Sequence, residues 1–251
     1  MSKPIIQCIT NDVTKNDCAN AVIAVGASPI MAHHIQEVAD VQNFAAALLL
    51  NLGATMDFES MRLALKTAKA CHHPVVLDPV GIAGIPFRRE FAQELLKSIG
   101  GITCIRGNYN EIAAILENKS VAAGLDAGVS SEDRRELLAE GMKRYAKETG
   151  ILLIASGAVD IVSDGEQVCF VESGHEMMSR ITGSGCMASA VLASRLAFEN
   201  SFETAVRTMK IYGECGERAA EAVISEHRGT GTFHQYFMDE LSLADWTRGE
   251  N

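Results

Sequence analysis

The segment Ile-Thr-Gly-Ser-Gly-Cys-Met-Ala at residues 181–188 has the composition of a site that holds an anion. Gly183 and Gly185 precede a run of small residues that favours a helix. Glycines let the backbone approach a ligand closely, and the first turn of a helix offers unpaired N–H groups and the positive end of a dipole. The segment predicts a cradle for an oxyanion or a phosphate. The alternative is a glycine-rich turn that only caps a packed helix.

Cys186 stands at the start of this predicted helix, where the dipole is expected to lower the pKa of a thiol. A Cys-His hydrolase is a rival use of the residue, but no local pattern pairs Cys186 with any of the seven histidines. The spacing G-x-G-x-x-A also fits a dinucleotide-binding fingerprint, yet only helical patterns follow it, so that context fails. A P-loop is excluded because the sequence contains no Gly-Lys pair. Cys71-His72-His73 lacks a second pair of metal ligands and indicates solvated histidines.

Three further polar clusters follow predicted strands, where an open parallel sheet binds ligands. Asp78 follows one strand, Arg106 and Glu111 a second, and Ser156 a third. Asp78 and Glu111 could hold Mg²⁺ directly or through water. Arg106 could pair with phosphate oxygens, and Ser156 could bond a phosphate or a ribose. Each residue alone could equally be a turn, cap or surface residue, but their meeting at one sheet edge favours a site.

Taken in order, these segments resemble the hydroxyethylthiazole kinases, thiamine-salvage enzymes of the ribokinase-like fold. The combination is specific, although no single segment is. The matching segments occur in family order from about residue 6 to 200 and are Ile9-Thr10-Asn11, Asn16 with Ala19-Asn20, Gly26-Ala27-Ser28-Pro29-Ile30-Met31, Asn51-Leu52-Gly53, Leu77-Asp78-Pro79-Val80-Gly81, Pro86-Phe87-Arg88, Ile105-Arg106-Gly107-Asn108 with Glu111-Ile112, Ser156-Gly157 with Val159-Asp160, and Thr182-Gly183 with Gly185-Cys186.

The resemblance implies an ATP- and Mg²⁺-dependent kinase that phosphorylates the hydroxyl of 5-(2-hydroxyethyl)-4-methylthiazole. It also implies a homotrimer whose active sites lie at subunit interfaces. Cys186 occupies the position at which ribokinase-like sugar kinases carry an aspartate base. The resemblance further implies that Met31 and Gly183 contact the thiazole, with Asn11 and Val13 beside it. It implies that Arg106 and Ser156 contact ATP. It also implies that Asp78 and Glu111 place Mg²⁺.

Two segments depart from the family pattern. Residues 81–86 read Gly-Ile-Ala-Gly-Ile-Pro where members often read Gly-Ala-Gly-Ala-Thr-Pro, and residues 15–18 are polar where members are commonly apolar. Two alternatives use the same fold, a hydroxymethylpyrimidine kinase and an ATP-dependent NAD(P)H-hydrate dehydratase. A third is a non-catalytic ATP-binding sensor.

The elements that must position these residues alternate between short apolar runs and amphipathic stretches. This order predicts a layered α/β fold with helices on both faces of a mostly parallel sheet. Asp164-Gly165 predicts a tight hairpin and therefore an antiparallel edge. The predicted strands are 5–9, 46–50, 75–77, 102–105, 151–155, 160–163 and 168–171, and the predicted helices are 16–25, 35–41, 58–71, 88–99, 110–117, 131–148, 186–198, 203–224 and 233–243.

The length fits one domain, and the resemblance implies that it is a ribokinase-like domain spanning residues 1–251, with 119–130 as a loop of small residues. A formal charge of −10 disfavours nucleic-acid binding, which needs clustered Lys and Arg. No apolar run approaches the roughly 20 residues that span a bilayer. Seven scattered cysteines without a Cys-x-x-Cys pair indicate reduced thiols. We therefore expect a cytoplasmic protein with no membrane partner and a small-molecule substrate.

Overall fold

A computed structural model describes residues 3–116 and 131–247 of the chain. Its centre is an eight-stranded sheet with the order β2-β1-β3-β4-β5-β6-β7-β8. Neighbouring strands pair in parallel from β2 to β6, whereas β7 and β8 are antiparallel. The strands are β1 Ile5–Ile9, β2 Ser28–Ile30, β3 Ala47–Asn51, β4 Val75–Asp78, β5 Cys104–Asn108, β6 Leu152–Ser156, β7 Asp160–Ser163 and β8 Val168–Val171.

Helices cover both faces of the sheet. The α-helices are α1 Lys15–Ala24, α2 Val38–Phe44, α3 Phe58–Cys71, α4 Pro86–Glu94, α5 Tyr109–Ile115, α6 Ser131–Thr149, α7 Ser184–Leu196, α8 Phe202–Ser225 and α9 Thr230–Leu243. Short 3₁₀ turns occupy Thr55–Asp57 and Glu176–Arg180, and a π-helical turn at Leu95–Ile99 continues α4. None of the helices in the described ranges is long and apolar enough to cross a membrane.

Two hydrophobic cores lie on opposite faces of the sheet because successive residues of a strand point to opposite sides. Leu49 of β3 packs with α1, α7, α8 and α9 on one face. Leu48 and Leu50 pack with α2 to α6 on the other face. This explains why β3 is apolar at four successive positions instead of alternating with polar residues. Its fifth residue, Asn51, is fully buried and polar.

The predicted architecture is confirmed, and each of the seven predicted strands is present within two or three residues of its expected bounds. The hairpin at Gly165 is confirmed, with φ at +97°. The three-residue strand β2 was not predicted. α2 begins three residues later than expected, and α4 begins at Pro86. The predicted loop at 119–130 lies outside the described residues.

The strands bring the polar clusters to one edge of the sheet. Asn51 is in register with Asp78, and Asn108 is in register with Ser156, so these strand ends are neighbours. The N-terminus of α7 faces the same edge, since Cys186 accepts a hydrogen bond from Asn51. The fold therefore places the candidate anion cradle opposite the candidate metal and phosphate ligands.

Candidate active site

A cleft of about 670 Å³ opens at this edge of the sheet. Six residues predicted for the site line it together: Asp78, Arg106, Glu111, Ser156, Gly183 and Cys186. Its other wall is formed by the segment between β8 and α7 and by the middle of α8. Those wall residues include Ser173, Gly174, His175, Met178, Met209, Tyr212 and Gly213.

Asp78 ends β4 and is buried, with 1% of its surface exposed. Its Oδ2 accepts hydrogen bonds from Asn51 Nδ2 at 3.0 Å and from Ser189 Oγ at 2.8 Å. Burial raises the pKa of Asp78 from 3.8 to about 7; Arg106 opposes this shift and Glu111 adds to it. Both bonds end on Oδ2, so Oδ1 keeps its lone pairs for a ligand in the cleft. The residue is therefore held rigidly and at a cost in desolvation.

Cys186 lies in the first turn of α7 and is half-buried. Its Sγ accepts hydrogen bonds from Asn51 Nδ2 at 3.2 Å and Asn11 Nδ2 at 3.5 Å. Burial, and then the charge of Asp78, raises the pKa of the thiol, although the hydrogen bonds oppose the shift. The expectation of a lowered pKa is wrong because desolvation and a nearby carboxylate outweigh the helix dipole. In the unliganded protein the residue is a neutral thiol at pH 7.

Arg106 connects three elements at the floor of the cleft. Its Nη1 donates to the carbonyl of Gly185 at 2.9 Å, and its Nε donates to Ser156 Oγ at 3.2 Å. Asp160, at the start of β7, accepts a hydrogen bond from Gly157 N–H at 3.0 Å. Burial raises the pKa of Asp160, and the charge of Arg106 opposes the shift. The guanidinium thus lies close to the carboxylates of Asp78 and Asp160 in the lining of the cleft.

Glu111 is a structural connector as well as a residue of the cleft. Its Oε2 accepts from the backbone N–H of Asn108 at 2.9 Å while Asn108 Oδ1 accepts from the N–H of Glu111, which is a capping box for α5. Its Oε1 accepts from Gly81 N–H at 2.8 Å. The carboxylate therefore ties the loop after β4 to the start of α5. With only 9% of its surface exposed, Glu111 is not the surface residue that the sequence also allowed.

The chain enters α7 through a tight turn at Gly183, which lines the cleft. Gly183 precedes the helix with φ at +90°, a conformation that side chains rarely adopt. A Cβ on Gly183 would lie 2.6 Å from Thr14 Cγ2, so the glycine also permits close contact with the turn after β1. Tyr212 donates its hydroxyl to the carbonyl of Ser184 at 2.6 Å and holds the first turn from the opposite side.

The remaining predicted thiazole contacts lie apart from the cleft lining. Asn11 reaches the site through its bond to Cys186. Val13, in the turn after β1, is 77% exposed. Met31 follows the edge strand β2 and is half-buried against the core below α1. A single chain therefore brings Asn11 to Cys186, but it does not bring Val13 and Met31 into the same cleft.

The two segments that depart from the family pattern have clear structural roles. In residues 81–86, Ile82 is fully buried and Ile85 directly precedes α4 without a side-chain capping bond. Arg88, just beyond the segment, donates to the carbonyl of Val80, just before it, at 2.9 Å. In residues 15–18, Asp17 lies 3.3 Å from His234 Nε2 and joins α1 to α9. Only Asp17 therefore contacts another helix in this way, since Lys15 pairs with Asp12 and Asn16 is exposed.

The residues of the cleft suit a partly hydrated Mg²⁺ better than a cation enclosed by protein ligands. Within residues 3–116 and 131–247 no group of three His, Cys, Asp or Glu side chains converges as a metal cage. Mg²⁺ is typically held by one or two carboxylates with waters and substrate phosphates, and it needs no such cage. Asp78 with its available Oδ1, and Glu111 with its remaining lone pairs, meet that requirement.

Three residues of the site were not singled out by sequence reasoning: Asn51, Ser189 and Asp160. Asn51 belonged to a matching segment without an assigned role, and it also carried a signal of its own, because it ends the longest apolar run of the chain, residues 44–50. Ser189 had none, since a serine within a helix of small residues usually packs or bonds its own backbone. Asp160 belonged to a matching segment but had no assigned role.

Comparisons with known proteins agree with this geometry. The family model described as "HK: Hydroxyethylthiazole kinase family" matches residues 1–245. A hydroxyethylthiazole kinase of Methanobrevibacter smithii is 38% identical over 96% of this chain and 88% of its own length. One from a Thermoanaerobacter species is 40% identical over 95% and 89%. The solved hydroxyethylthiazole kinase of Pyrococcus horikoshii superposes with a TM-score of 0.83 at 31% identity, covering 98% of this chain and 91% of that one.

More distant solved structures share the fold alone. A ribokinase-like superfamily protein of Enterococcus faecalis superposes with a TM-score of 0.66 at 11% identity, covering 96% of this chain and 88% of that chain. A Bacillus subtilis ADP/ATP-dependent NAD(P)H-hydrate dehydratase, crystallised with ATP and Mg²⁺, gives 0.60 at 13% identity, with 95% and 89% covered.

Proposed function

Because the chain belongs to the hydroxyethylthiazole kinase family, an enzyme family of the ribokinase-like fold, we propose a specific division of labour among its residues. The reaction is the phosphorylation of hydroxyethylthiazole. The observation that carries the proposal is the position of Cys186 in the first turn of α7, where Gly183 and Gly185 line the same cleft. The attacking hydroxyl and the transferred phosphate meet at this helix end.

The proposed phosphate site consists of the backbone N–H groups at the start of α7 together with Arg106. Phosphoryl transfer needs little covalent chemistry from a protein, so positioning and charge neutralisation dominate. The helix end supplies unpaired N–H groups, and the guanidinium supplies a positive charge. Ser156 bonds to Arg106 and stands beside the nucleotide path. Its role is to bond a phosphate or the ribose.

ATP and Mg²⁺ are the proposed phosphate donor and metal. Mg²⁺ would neutralise phosphate charge when bound. Asp78 and Glu111 would hold it, directly or through water, because both line the cleft close to Arg106. Asp78 must then be deprotonated, and a nearby cation would lower its pKa.

Cys186 is proposed to orient the substrate hydroxyl, with its neutral thiol accepting a hydrogen bond, while the hydroxyl proton passes late in the reaction to an oxygen of the transferred phosphate group. A thiol with a raised pKa is a neutral group at pH 7, so it does not remove the proton beforehand. In a loose transition state the hydroxyl loses its proton late, which relaxes the demand for a strong base. Catalysis therefore depends on Cys186 only in part.

The substrate and its alternatives can be separated by coupled measurement of ADP release. The alcohols to compare are 5-(2-hydroxyethyl)-4-methylthiazole, hydroxymethylpyrimidine and ribose, each with ATP and Mg²⁺. We expect turnover with the thiazole alone. Preferential turnover of the pyrimidine would assign the protein to the rival kinase activity, and nucleotide binding without turnover would support a sensor.

We propose a cytoplasmic homotrimer of single-domain chains, with active sites shared between subunits. Met31 and Val13 lie outside the cleft of their own chain, which supports their contribution to a neighbour's site. Light scattering should give about three times 27.0 kDa. Co-expression of a Met31 variant with a Cys186 variant should restore activity, because some mixed trimers then contain an intact site. A fully active monomer would refute the assembly, and a trimer without recovery would refute the shared site.

A further inference from the structure

Asn51 is a fully buried amide at the carboxyl end of β3, and all of its hydrogen-bonding capacity is used. Its Oδ1 accepts from Gly53 N–H at 2.9 Å and from Asn11 Nδ2 at 3.2 Å. Its Nδ2 donates to Asp78 Oδ2 at 3.0 Å and to Cys186 Sγ at 3.2 Å. Two acceptor bonds and two donor bonds account for the whole side chain.

These partners allow only one orientation of the amide. A backbone N–H such as that of Gly53 can only donate, so the atom facing it must be the oxygen. The atom facing the carboxylate of Asp78 must then be the nitrogen. Its second hydrogen necessarily points toward Cys186. The sulfur of Cys186 therefore accepts a hydrogen bond from the amide of Asn51. The orientation of that amide is fixed by its bonds with Gly53, Asn11 and Asp78.

Asn11 completes the arrangement on the same sulfur. Its Oδ1 accepts from Thr14 N–H at 3.2 Å, which leaves its nitrogen to donate to Asn51 and to Cys186. Two amide hydrogens and the side chain of Thr14 therefore lie on the protein side of Sγ. A substrate hydroxyl meets the sulfur from the cleft that Cys186 lines.

We propose that Asn51 is a positioning residue for phosphoryl transfer, with one amide nitrogen that holds the sulfur of Cys186 and the carboxylate of Asp78 in a fixed relation. This inference rests on the proposed role of Cys186. The two groups belong to the two halves of the reaction, since the sulfur meets the acceptor hydroxyl and the carboxylate lies on the phosphate side. Asn51 fixes their spacing before either substrate binds.

Ser189 provides a matched control within the same network. It donates to the same Oδ2 of Asp78 at 2.8 Å, and it lies on α7 three residues after Cys186. Ser189→Ala removes one bond to Asp78 and leaves the bond between Asn51 and the sulfur intact. Ser189→Ala therefore measures how much kcat changes when Asp78 alone loses a hydrogen bond, separately from any effect on Cys186.

The test is a double-mutant cycle on kcat with Asn51→Ala, Cys186→Ala and the double variant, assayed at saturating thiazole alcohol and ATP. We expect Asn51→Ala to lower kcat by about 10-fold when Cys186 is present, with the KM for ATP changed by less than about 2-fold. In the Cys186→Ala background, Asn51→Ala should lower kcat by no more than Ser189→Ala does. Ser189→Ala should have the same effect in both backgrounds.

A residue with a merely structural role would give the same fold-change in both backgrounds, and that result would overturn the proposal. A Cys186→Ala variant with unchanged kcat would overturn it as well. If Asn51→Ala does not fold, Asn51→Asp replaces it, because the aspartate keeps an oxygen for Gly53 and Asn11 and removes the donor nitrogen.

Urea unfolding of the same four proteins without substrates separates this inference from the proposed function. The effects of Asn51→Ala and Cys186→Ala on the unfolding free energy should be non-additive, since the two side chains are in contact. Absence of thiazole-dependent turnover in the native protein would refute the proposed function. The unfolding measurements would still test the contact between Asn51 and Cys186. Additive effects there would overturn the inference whatever the activity.

Discussion

Replacement of Asp78 by asparagine should make the protein more stable and less active. The substitution keeps an oxygen where Oδ2 accepts from Asn51 and Ser189, so the packing of the site is preserved. It removes a carboxylate that is almost fully buried. The stability change therefore reports the cost of holding a charge in this position.

The magnitude follows from the pKa of the group. A rise from 3.8 to about 7 corresponds to roughly 4 kcal/mol of cost to the charged form. Because the folded pKa lies above the unfolded pKa, the folded protein binds more protons between about pH 4 and pH 7, and stability falls as pH rises through this window. At pH 8 we expect Asp78→Asn to raise the unfolding free energy by about 2–4 kcal/mol, and at pH 4.5 by less than about 1 kcal/mol.

Urea unfolding in EDTA at a fixed protein concentration measures this difference. The single tryptophan, Trp246, is buried and bonds to the carbonyl of Leu241, so its fluorescence reports global unfolding. Asp239→Asn, at an exposed site on α9, is the matched control and should change stability by less than about 0.5 kcal/mol. The quantity to compare is the gain in unfolding free energy of Asp78→Asn over the native protein. If this gain is no larger at pH 8 than at pH 4.5, the reasoning is refuted.

The same variant tests the proposed metal role through ligand linkage. ATP with Mg²⁺ should stabilise the native protein against unfolding, since a ligand that binds only the folded state adds to stability. Asp78→Asn should gain less from the same ligands. Equal gains would mean that Asp78 takes no part in binding them.

Three further changes have defined outcomes. Cys186→Ala should lower kcat by roughly 10- to 1000-fold with little change in the KM for ATP, and Cys186→Asp should retain activity. If steady-state kinetics show no effect of the alanine substitution, the role of Cys186 is structural. Glu111→Gln should raise the Mg²⁺ concentration needed for half-maximal rate. It should also lower the unfolding free energy by about 1 kcal/mol, because one hydrogen bond to Gly81 or to the N-terminus of α5 is lost. If the Mg²⁺ titration is unchanged, Glu111 has only the structural role. Gly183→Ala should cost roughly 1–3 kcal/mol of stability and most of the activity, since φ is +90° there and Thr14 is too close; a native melting curve would contradict the strain argument.

Much of the fold could be predicted because buried parallel strands are continuous apolar runs. β3 and β4 illustrate this, each ending in the polar residue that enters the site. β2 escaped detection because three residues are too few to show a period and because Pro29 argues against a strand interior. At the sheet edge a proline is tolerated, since one side of the strand has no partner in the described sheet.

The candidate site could be predicted only where a residue's chemistry was visible in its own segment. Asp78 and Arg106 directly follow the predicted apolar runs, and Gly183 stands where a turn leads into a predicted helix. The bond between Ser189 and Asp78 joins residues 111 positions apart and depends on how α7 packs on β4. No local pattern encodes such a contact. The prediction of a lowered pKa for the Cys186 thiol failed for the same reason, because burial, and then the charge of Asp78, raise this pKa, and both depend on residues distant in sequence.

The hydrogen bonds of Arg106 to the carbonyl of Gly185 and to Ser156 use two of the five N–H groups of the guanidinium. Three N–H groups remain, so the proposed phosphate contact requires neither of these bonds to break. The two bonds fix the plane of the guanidinium between β5, β6 and the start of α7. An arginine held in this way is preorganised, because its side-chain entropy is already lost on folding and is not lost again when a ligand binds.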